Sequence, residues 1–389
     1  MSLNKLTPHQ VKEYYQLPDN VTFCKKCVVS NQRPRIIFDK NGVCNACNYA
    51  YKKHNSIDWD KREKELLDLL DRFRSKDGSY DVIVPISGGK DSSSVAHKLK
   101  YKYNMHPLTV TWAPHIYTDI GWSNLQNFIH SGFDNILGTP NGKVHKSLTR
   151  LSFELLGDPF QPFVFGQMSF PFKIATKFNI PLVFYGENGE AEYGGSVENE
   201  NKNGQLLEDF SRFYFSKFSP QSFSKFNITE TDLQTYTLPT YQEMKNTGIE
   251  MHWFGYYTKW IPQENYYYAV ENCGFEANPN ARSEGTHSRY ASLDDKIDGF
   301  HYYLSYIKFG LGRATSDASQ EIRSGHITRD EAIALVKRYD GQFPELWFQD
   351  FLKYTNVSEE FFWKVIESFR SPHLWEKING NWKLKTLIQ

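Results

Sequence analysis

The sequence predicts an α/β fold, a doubly wound parallel sheet that follows an N-terminal four-cysteine module and precedes a mainly helical C-terminal region. Three observations predict it. Four of the five cysteines fall in two C-x-x-C pairs near the amino terminus. Short apolar runs then alternate with helical patterns between residues 80 and 185, which is typical of a parallel sheet. From Asp294 onwards the apolar spacing is mainly helical.

The composition is that of a globular protein. The 389 residues include 40% hydrophobic and 23% charged side chains, and lysine plus arginine equal aspartate plus glutamate at 45 each. This balance argues against a protein whose main task is to coat nucleic acid. The amino terminus, MSLNKLTPHQ, lacks the apolar core of a signal peptide. No apolar run approaches the roughly 20 residues of a membrane helix. We therefore expect a soluble, cytoplasmic protein that binds neither nucleic acid nor membranes.

The paired cysteines predict a structural zinc site. Cys24 and Cys27 form one C-x-x-C knuckle, and Cys44 and Cys47 form a second one, with sixteen residues between Cys27 and Cys44. Two such knuckles can supply the four thiolates of a closed tetrahedral zinc site. Disulfides are unfavourable in a cytosolic chain, and a redox motif does not usually come doubled. The fifth cysteine, Cys273, reads as a buried apolar residue.

The next segments justify the sheet and the helices in chain order. Alternating charges and helically spaced leucines predict an amphipathic helix from residue 60 to 73. The predicted strands are Val82–Ile86, Leu108–Trp112, Phe133–Gly138 and Ile180–Tyr185. The helices between them are predicted at Ser92–Tyr101, Trp122–His130 and 168–178. In the C-terminal region, Thr328-x-x-Glu331 predicts a capping box that opens a helix through Lys337.

These patterns divide the chain into four predicted parts. Residues 1–60 form the zinc module, and residues 61–195 form the domain with the parallel sheet. Residues 196–290 are rich in aromatic side chains and break the strand–helix rhythm, so we interpret them as an insertion or cap over the sheet edge. Residues 291–389 are the mainly helical region, which we expect to complete a substrate site.

The stretch VIVPISGGKDSS predicts an anion-binding loop after the first strand. It lacks the spacing of the Walker loop, yet it places two glycines, a lysine and hydroxyl groups between a buried strand and a helix start. Backbone N–H groups and the helix N-terminus can approach a phosphate there. The candidate ligand-binding residues are Ser87, Gly88, Gly89, Lys90, Asp91, Ser92 and Ser93.

A second candidate site follows the fourth predicted strand. The sequence YGENGEAEYGG places three carboxylates within six residues among glycines, at positions 187, 190 and 192. Oxygen ligands of this kind suit magnesium, although an acidic loop in solvent is the alternative. Glu187 is favoured because it lies nearest the strand.

At these residues the chain resembles the PP-loop ATP pyrophosphatases, whose signature is S-G-G-x-D-S and whose fold is adenine-nucleotide alpha-hydrolase-like. The resemblance implies that the loop holds the β- and γ-phosphates of ATP as a departing pyrophosphate, with Mg²⁺ at the acidic strand end. A substrate oxygen is then adenylated at the α-phosphorus. The resemblance thus implies ATP and Mg²⁺ as cofactors and Lys90, Asp91 and Glu187 as catalytic residues.

Further segments narrow the resemblance to one family. The zinc module, YGENGEAEYGG, GTHSRYASLDDK, KFGLGRATSD and EIRSGHITRDEA together resemble the N-acetyl-sugar amidotransferases of bacterial surface-polysaccharide pathways, of the pseudaminic- or legionaminic-acid type. The resemblance implies that the acetamido oxygen of an N-acetylated sugar is adenylated and that ammonia displaces AMP to leave an acetamidino group. Arg313, which follows Gly310 and Gly312, is the best candidate for contact with phosphate or substrate.

The source of the ammonia is predicted to lie outside this chain. A glutaminase needs a cysteine nucleophile, but position 2 is Ser2, four cysteines are assigned to zinc, and Cys273 lies in no nucleophile-elbow pattern. The resemblance likewise implies a separate glutaminase and an ammonia-channelling subunit as partners.

Two other functions remain open at this point. The first is a tRNA-modifying PP-loop enzyme of the thiolation or lysidine type, although thiolation usually needs cysteines beyond Cys273. The second is a non-catalytic nucleotide sensor, which would not need both the intact loop and the carboxylate-rich strand end.

Overall fold

The computed structural model describes residues 4–205 and 218–389, and a six-stranded sheet lies at its centre. The strands are β1 Val82–Pro85, β2 Pro107–Trp112, β3 Asn135–Gly138, β4 Leu182–Tyr185, β5 Gly204–Gln205 and β6 Glu250–Trp253. Their spatial order is β3-β2-β1-β4-β6-β5. All neighbours pair in parallel except β5, which is antiparallel to β6. The predicted mixed α/β fold with a mostly parallel sheet is confirmed.

Seventeen α-helices surround the sheet in the described residues. Up to β4 they are α1 Pro8–Tyr15, α2 Asn45–Asn55, α3 Trp59–Phe73, α4 Lys90–His97, α5 Asp119–His130, α6 Gly142–Leu156 and α7 Gln161–Phe178. Between β4 and residue 273 they are α8 Gly189–Glu192, α9 Glu230–Leu233, α10 Tyr241–Thr247, α11 Phe254–Tyr257 and α12 Pro262–Cys273. The last five are α13 Asp298–Phe309, α14 Arg313–Arg323, α15 Arg329–Tyr339, α16 Phe348–Thr355 and α17 Glu359–Ser368.

Alternate strand residues point to opposite faces of the sheet, and apolar side chains lie on both faces. Helices therefore cover both faces. Val82 and Val84 of β1 pack into a core with the leucines of α3 and with residues of α4 and α5. Ile83, between them, joins a separate core to which α7 contributes Phe172. Both strand faces are therefore buried, as the continuous apolar runs predict.

The segment between residues 196 and 290 contributes to the sheet. Its strand β6 lies beside β4, with Met251 opposite Val183, and Met251 is buried in the same core as α7. The parallel sheet therefore continues beyond residue 195, where the sequence pattern appeared to stop. Residues 206–217 of the predicted cap lie outside the described residues.

The cysteine-rich segment shares a hydrophobic core with the C-terminal helices. Cys24 and Cys44 lie in one cluster with Phe300 of α13 and Phe362 of α17. Val28, which directly follows the first knuckle, packs in one cluster with Ala318 of α14 and Ala332 of α15. The cysteine-rich segment and the C-terminal helices thus bury each other's apolar side chains.

The C-terminal region is mainly helical, as predicted, and ends in a hairpin of β7 Trp375–Ile378 and β8 Asn381–Leu384. Thr328 and Glu331 form the predicted capping box at the start of α15. In the described parts of the chain, no helix combines the length and apolarity needed to cross a bilayer.

Candidate functional site

The glycine-rich loop lies at the carboxyl end of β1 and leads directly into α4. Gly88 has a φ of 82°, and a Cβ on it would lie 2.6 Å from the backbone nitrogen of Leu125 in α5. Gly89 caps α4 and has a φ of −71°, and a Cβ there would meet only the Ser87 Oγ, at 3.2 Å. Gly88 therefore holds the loop against α5, whereas Gly89 leaves its backbone open to the neighbouring cavity.

That cavity has a volume of about 770 Å³ and collects most of the predicted site residues. Its walls include Ser87, Gly88, Gly89, Lys90, Asp91, Ser92, Glu187 and Arg313. Ser93 lies outside this lining: it is buried, and its carbonyl faces the Cys273 thiol at 3.7 Å. The structure thus brings together every predicted catalytic residue and all predicted loop residues but one.

Lys90 and Asp91 form an ion pair at the start of α4. Asn265 of α12 donates its side-chain N–H to Asp91 Oδ1 at 3.0 Å, and the Lys90 Nζ lies 4.7 Å from the centre of the Tyr290 ring. Both partners come from the segment that the sequence pattern assigned to a cap. That segment therefore orients the charged groups of the loop.

Glu187 follows β4, the neighbour of β1, and so faces the loop across the sheet edge. Tyr193 donates a hydrogen bond to Glu187 Oε1 at 3.0 Å. Burial, together with the negative charge of Asp91, raises the pKa of Glu187. Two carboxylates facing one cavity are an oxygen donor set that fits a divalent cation.

The other two carboxylates of this segment have structural partners. Glu190 accepts a hydrogen bond from the Ser196 backbone and pairs with Arg35 at 2.5 Å. Glu192 is buried and pairs with Lys53 Nζ at 2.7 Å. Glu187 is therefore the carboxylate of the three that is left to face the cavity.

Arg313, at the first residue of α14, lies on the wall of the cavity formed by the C-terminal helices. Its Nε donates to Asp317 at 3.0 Å, and its Nη1 donates to the Tyr302 hydroxyl at 2.5 Å. Burial lowers the pKa of Arg313, but the combined effect of Asp317, Tyr302 and Asp298 outweighs it, so the net pKa is raised and the side chain keeps its positive charge.

The glycines that precede Arg313 have roles in the backbone. Gly310 ends α13 in the left-handed conformation. A Cβ on Gly312 would lie 2.7 Å from Asp340 Oδ1, the carboxylate that accepts from the first N–H groups of α14. Gly312 also lines the cavity, so the expectation that these glycines permit close approach of a ligand to Arg313 stays a prediction.

Asp294 is a cavity residue that sequence reasoning missed. Its carboxylate accepts a hydrogen bond from the Ser87 side chain, and burial beside Asp298 and Asp295 raises its pKa to about 7. A Cβ on Gly121 at the start of α5 would lie 2.4 Å from the Asp294 Cα, so the two backbones are in close contact. The adjacent carboxylates Asp294 and Asp295, just before a helix, could have indicated a site residue. They were considered only as part of the family-like segment GTHSRYASLDDK.

The four cysteines of the knuckles meet as predicted. Their sulfurs all lie within 4.8 Å of one another, with 3.9 Å between Cys24 and Cys47 and 3.7 Å between Cys27 and Cys44. A tetrahedral zinc with Zn–S bonds of about 2.3 Å separates its sulfurs by about 3.8 Å. The donor set therefore fits zinc, and the four cysteines could bind it.

Arg323 connects this cysteine cluster to the cavity. Its Nη2 approaches the Cys27 sulfur at 3.5 Å, and its Nη1 donates to the Glu192 carbonyl at 2.9 Å. Arg323 also lines the cavity, as does Arg33 from between the two knuckles. The cysteine-rich module is thus a wall of the site.

Comparison with known proteins bears on the C-terminal wall of the cavity. Residues 284–388 match the family described as LPS biosynthesis protein WbpG-like, C-terminal domain. The match supports a role in glycan biosynthesis. It includes Asp294, Arg313 and Arg323, so the matched segment carries part of the cavity wall.

A shorter match involves a curated relative. An uncharacterized protein of Methanocaldococcus jannaschii is 31% identical over 88 residues, which are 22% of this chain and 31% of that protein. The match spans less than a third of the relative's length, and the name of that relative assigns no activity to it.

Proposed function

We propose that this protein is an ATP-dependent, AMP-forming amidotransferase of bacterial surface glycan biosynthesis. It adenylates the acetamido oxygen of an N-acetylated sugar and replaces that oxygen with ammonia, which leaves an acetamidino group. One observation carries the proposal. Residues 87–92 of the loop and Glu187 follow adjacent parallel strands and line a cavity that residues of the WbpG-like segment also line.

The position of the loop supports pyrophosphate release. β1 and β4 lie where the strand order reverses, which is the usual ligand position in an open parallel sheet. The N–H groups of the loop and the Lys90 ammonium would hold the β- and γ-phosphates. Asp91 and Glu187 would hold Mg²⁺, which when bound neutralises charge on the polyphosphate. This arrangement leaves the α-phosphorus open to the substrate oxygen.

The chemistry balances without any further reagent. The amide oxygen forms a bond to the α-phosphorus as pyrophosphate leaves, which converts a poor leaving group into AMP. The lone pair of ammonia then attacks the amide carbon, and the carbon–oxygen bond breaks to release AMP. The product amidine is a strong base and keeps the extra proton.

The state of Cys273 supports an external source of ammonia. Its thiol is buried, and burial raises its pKa to about 12, whereas a glutaminase nucleophile needs an accessible thiol with a lowered pKa. We therefore propose a separate glutaminase and an ammonia-channelling subunit as partners.

The test is a product assay with ATP, Mg²⁺, concentrated ammonium salt and a panel of N-acetylated sugars. We expect sugar-dependent release of AMP and pyrophosphate. Formation of ADP contradicts the mechanism, AMP release that needs tRNA favours a tRNA-modifying enzyme, and ATP binding without turnover favours a nucleotide sensor.

A matched pair of loop variants tests the site. Ser87→Ala removes a hydroxyl in the cavity, and Ser93→Ala removes a buried hydroxyl outside it that has no hydrogen-bond partner among the described residues. Ser87→Ala is expected to lower kcat/KM for AMP release at least about 10-fold, and Ser93→Ala less than about 2-fold. Equal effects of the two variants on kcat/KM would show that the loop is not part of the active site.

A further inference from the structure

Three buried nitrogen atoms without hydrogen-bond partners lie on side chains at the cavity wall or behind it. They are Trp112 Nε1, His115 Nε2 and His145 Nε2, none of which has a partner in the described part of the chain. The three side chains belong to residues that are 5%, 8% and 2% exposed. The His145 ring centre lies 4.7 Å from that of His115 and 6.4 Å from that of Trp112.

The two histidines are held in place through their other nitrogen. His115 Nδ1 lies 2.6 Å from Asp295 Oδ2, and Asp295 also accepts from the backbone N–H groups of His115 and Ile297. With Nδ1–H donated to this carboxylate, the neutral ring presents Nε2 as an acceptor. His145 Nδ1 lies 2.9 Å from the Tyr236 hydroxyl. Burial and the neighbouring His115 lower the pKa of His145, which favours its neutral form.

The group lies between the cavity and the outer surface of α6. On the inner side, Trp112 lines the cavity, and the His115 ring packs at 6.0 Å on Phe163, another lining residue. On the outer side, His145 is followed in α6 by the exposed Lys146 and Ser147. The three nitrogen atoms therefore belong to side chains that lie between α6 and the cavity wall.

The chemistry of these atoms selects a small neutral molecule. A buried polar atom without a partner costs about 1–3 kcal/mol, so such sites usually hold a small bound molecule. The Trp112 N–H can only donate, and it needs a lone pair opposite it. Ammonia supplies one lone pair for Trp112 and N–H donors for His115 Nε2 and, in the tautomer whose Nδ1–H is donated to Tyr236, for His145 Nε2. Ammonium has no lone pair, and it cannot accept from Trp112.

We propose that Trp112, His115 and His145 form an ammonia-binding step in a passage from the α6 surface to the cavity. The proposal rests on the proposed function, since ammonia is the nucleophile of that reaction. It adds the route by which ammonia reaches the activated amide and the groups that select ammonia over ammonium.

Asparagine variants test it with little change in packing. His115→Asn and His145→Asn keep a side-chain amide near the position of Nδ1, for the bonds to Asp295 and Tyr236, and remove Nε2. His252→Asn is the control, because His252 is a buried histidine with a similar bond to Tyr257 at 2.8 Å, far along the sheet. We measure KM for ammonium in AMP release at saturating sugar, and ATP–pyrophosphate exchange without ammonium.

The two passage variants are expected to raise KM for ammonium by about 10-fold, the effect of one lost hydrogen bond, while exchange stays within about 2-fold. An unchanged KM in both variants, or an equal rise in His252→Asn, overturns the passage and leaves the amidotransferase intact. Failure of the unsubstituted protein to exchange pyrophosphate with any N-acetylated sugar overturns the proposed function itself.

Discussion

At the residue scale, Gly88 and Gly89 differ in what a side chain would meet: the backbone of α5 at Gly88, and the edge of the cavity at Gly89. In Gly88→Ala the new Cβ would be forced against the backbone of α5 at a positive φ. We expect a loss of unfolding free energy of at least about 2 kcal/mol. In Gly89→Ala the backbone is unstrained, and the new methyl group would meet only the Ser87 Oγ beside the cavity, where we propose that the phosphates bind.

Gly89→Ala should therefore stay within about 1 kcal/mol of the unsubstituted protein and lose ATP affinity. Denaturant unfolding and nucleotide titration separate the two effects. A Gly88→Ala variant with unchanged stability, or a Gly89→Ala variant that binds ATP normally, would contradict these different roles of the two glycines.

Asp294 gives a prediction for pH at the same scale. Its pKa is about 7 in the folded protein, against an ordinary value of 3.8, so the folded state binds a proton more tightly than the unfolded chain. This carboxyl therefore lowers stability as pH rises from about 4 through about 7, and the loss is complete above that.

Asp294→Asn cannot ionise, yet its amide oxygen can still accept from Ser87. The variant should melt at a higher temperature than the unsubstituted protein at pH 8, with a smaller difference at pH 5. Thermal melts at the two pH values check this. The same difference at both would mean that Asp294 keeps its ordinary pKa.

At the element scale, the sequence predicted the strands that carry the loop and Glu187. It did not predict the residues from other segments that line the cavity opposite those strand ends. Val82–Pro85 and Leu182–Tyr185 are apolar runs bounded by glycine or proline, and their adjacency follows from the common topology of parallel sheets. Strand β6 was missed because Glu250-Met-His-Trp is short, mixed in polarity and surrounded by aromatic residues. Asp294 and Asn265 reach the loop through long-range packing that no local pattern records.

The cysteine knuckles carry a prediction at this scale. All four sulfurs are in the core shared with α13 and α17, so loss of zinc would leave repelling thiolates or unpaired thiols there. Chelation during unfolding, or Cys44→Ser, should lower the melting temperature by at least about 10 °C.

Cys273→Ser is the control, because this cysteine is buried outside the cluster. Metal analysis should find one zinc per chain in the unsubstituted protein and in the control. A chelated protein that melts at the original temperature would show that the cluster needs no metal.

At the scale of the whole molecule, the predicted domains describe the sequence better than they describe folding units. The predicted module 1–60 shares one core with residues from Ile297 onwards, and Arg323 contacts both Cys27 and the Glu192 carbonyl of α8. We expect a chain that ends at residue 283 to be insoluble or unfolded, because its cysteine module loses its apolar partner surface.

Circular dichroism and a melting curve of the shortened chain check this expectation. A cooperative transition near that of the full chain would mean that the module and the sheet are stable without the WbpG-like segment.

The shared core also sets an order of events during synthesis. Arg323 lies 279 residues after Cys44, so at about 5–20 residues per second the ribosome delivers it about 15–60 s later. During that interval the four thiols have only local support, such as the backbone N–H groups of Lys26 and Cys44 that donate to the Cys24 sulfur. The nascent knuckles therefore have to capture their metal, or resist oxidation, before the helices that bury them exist.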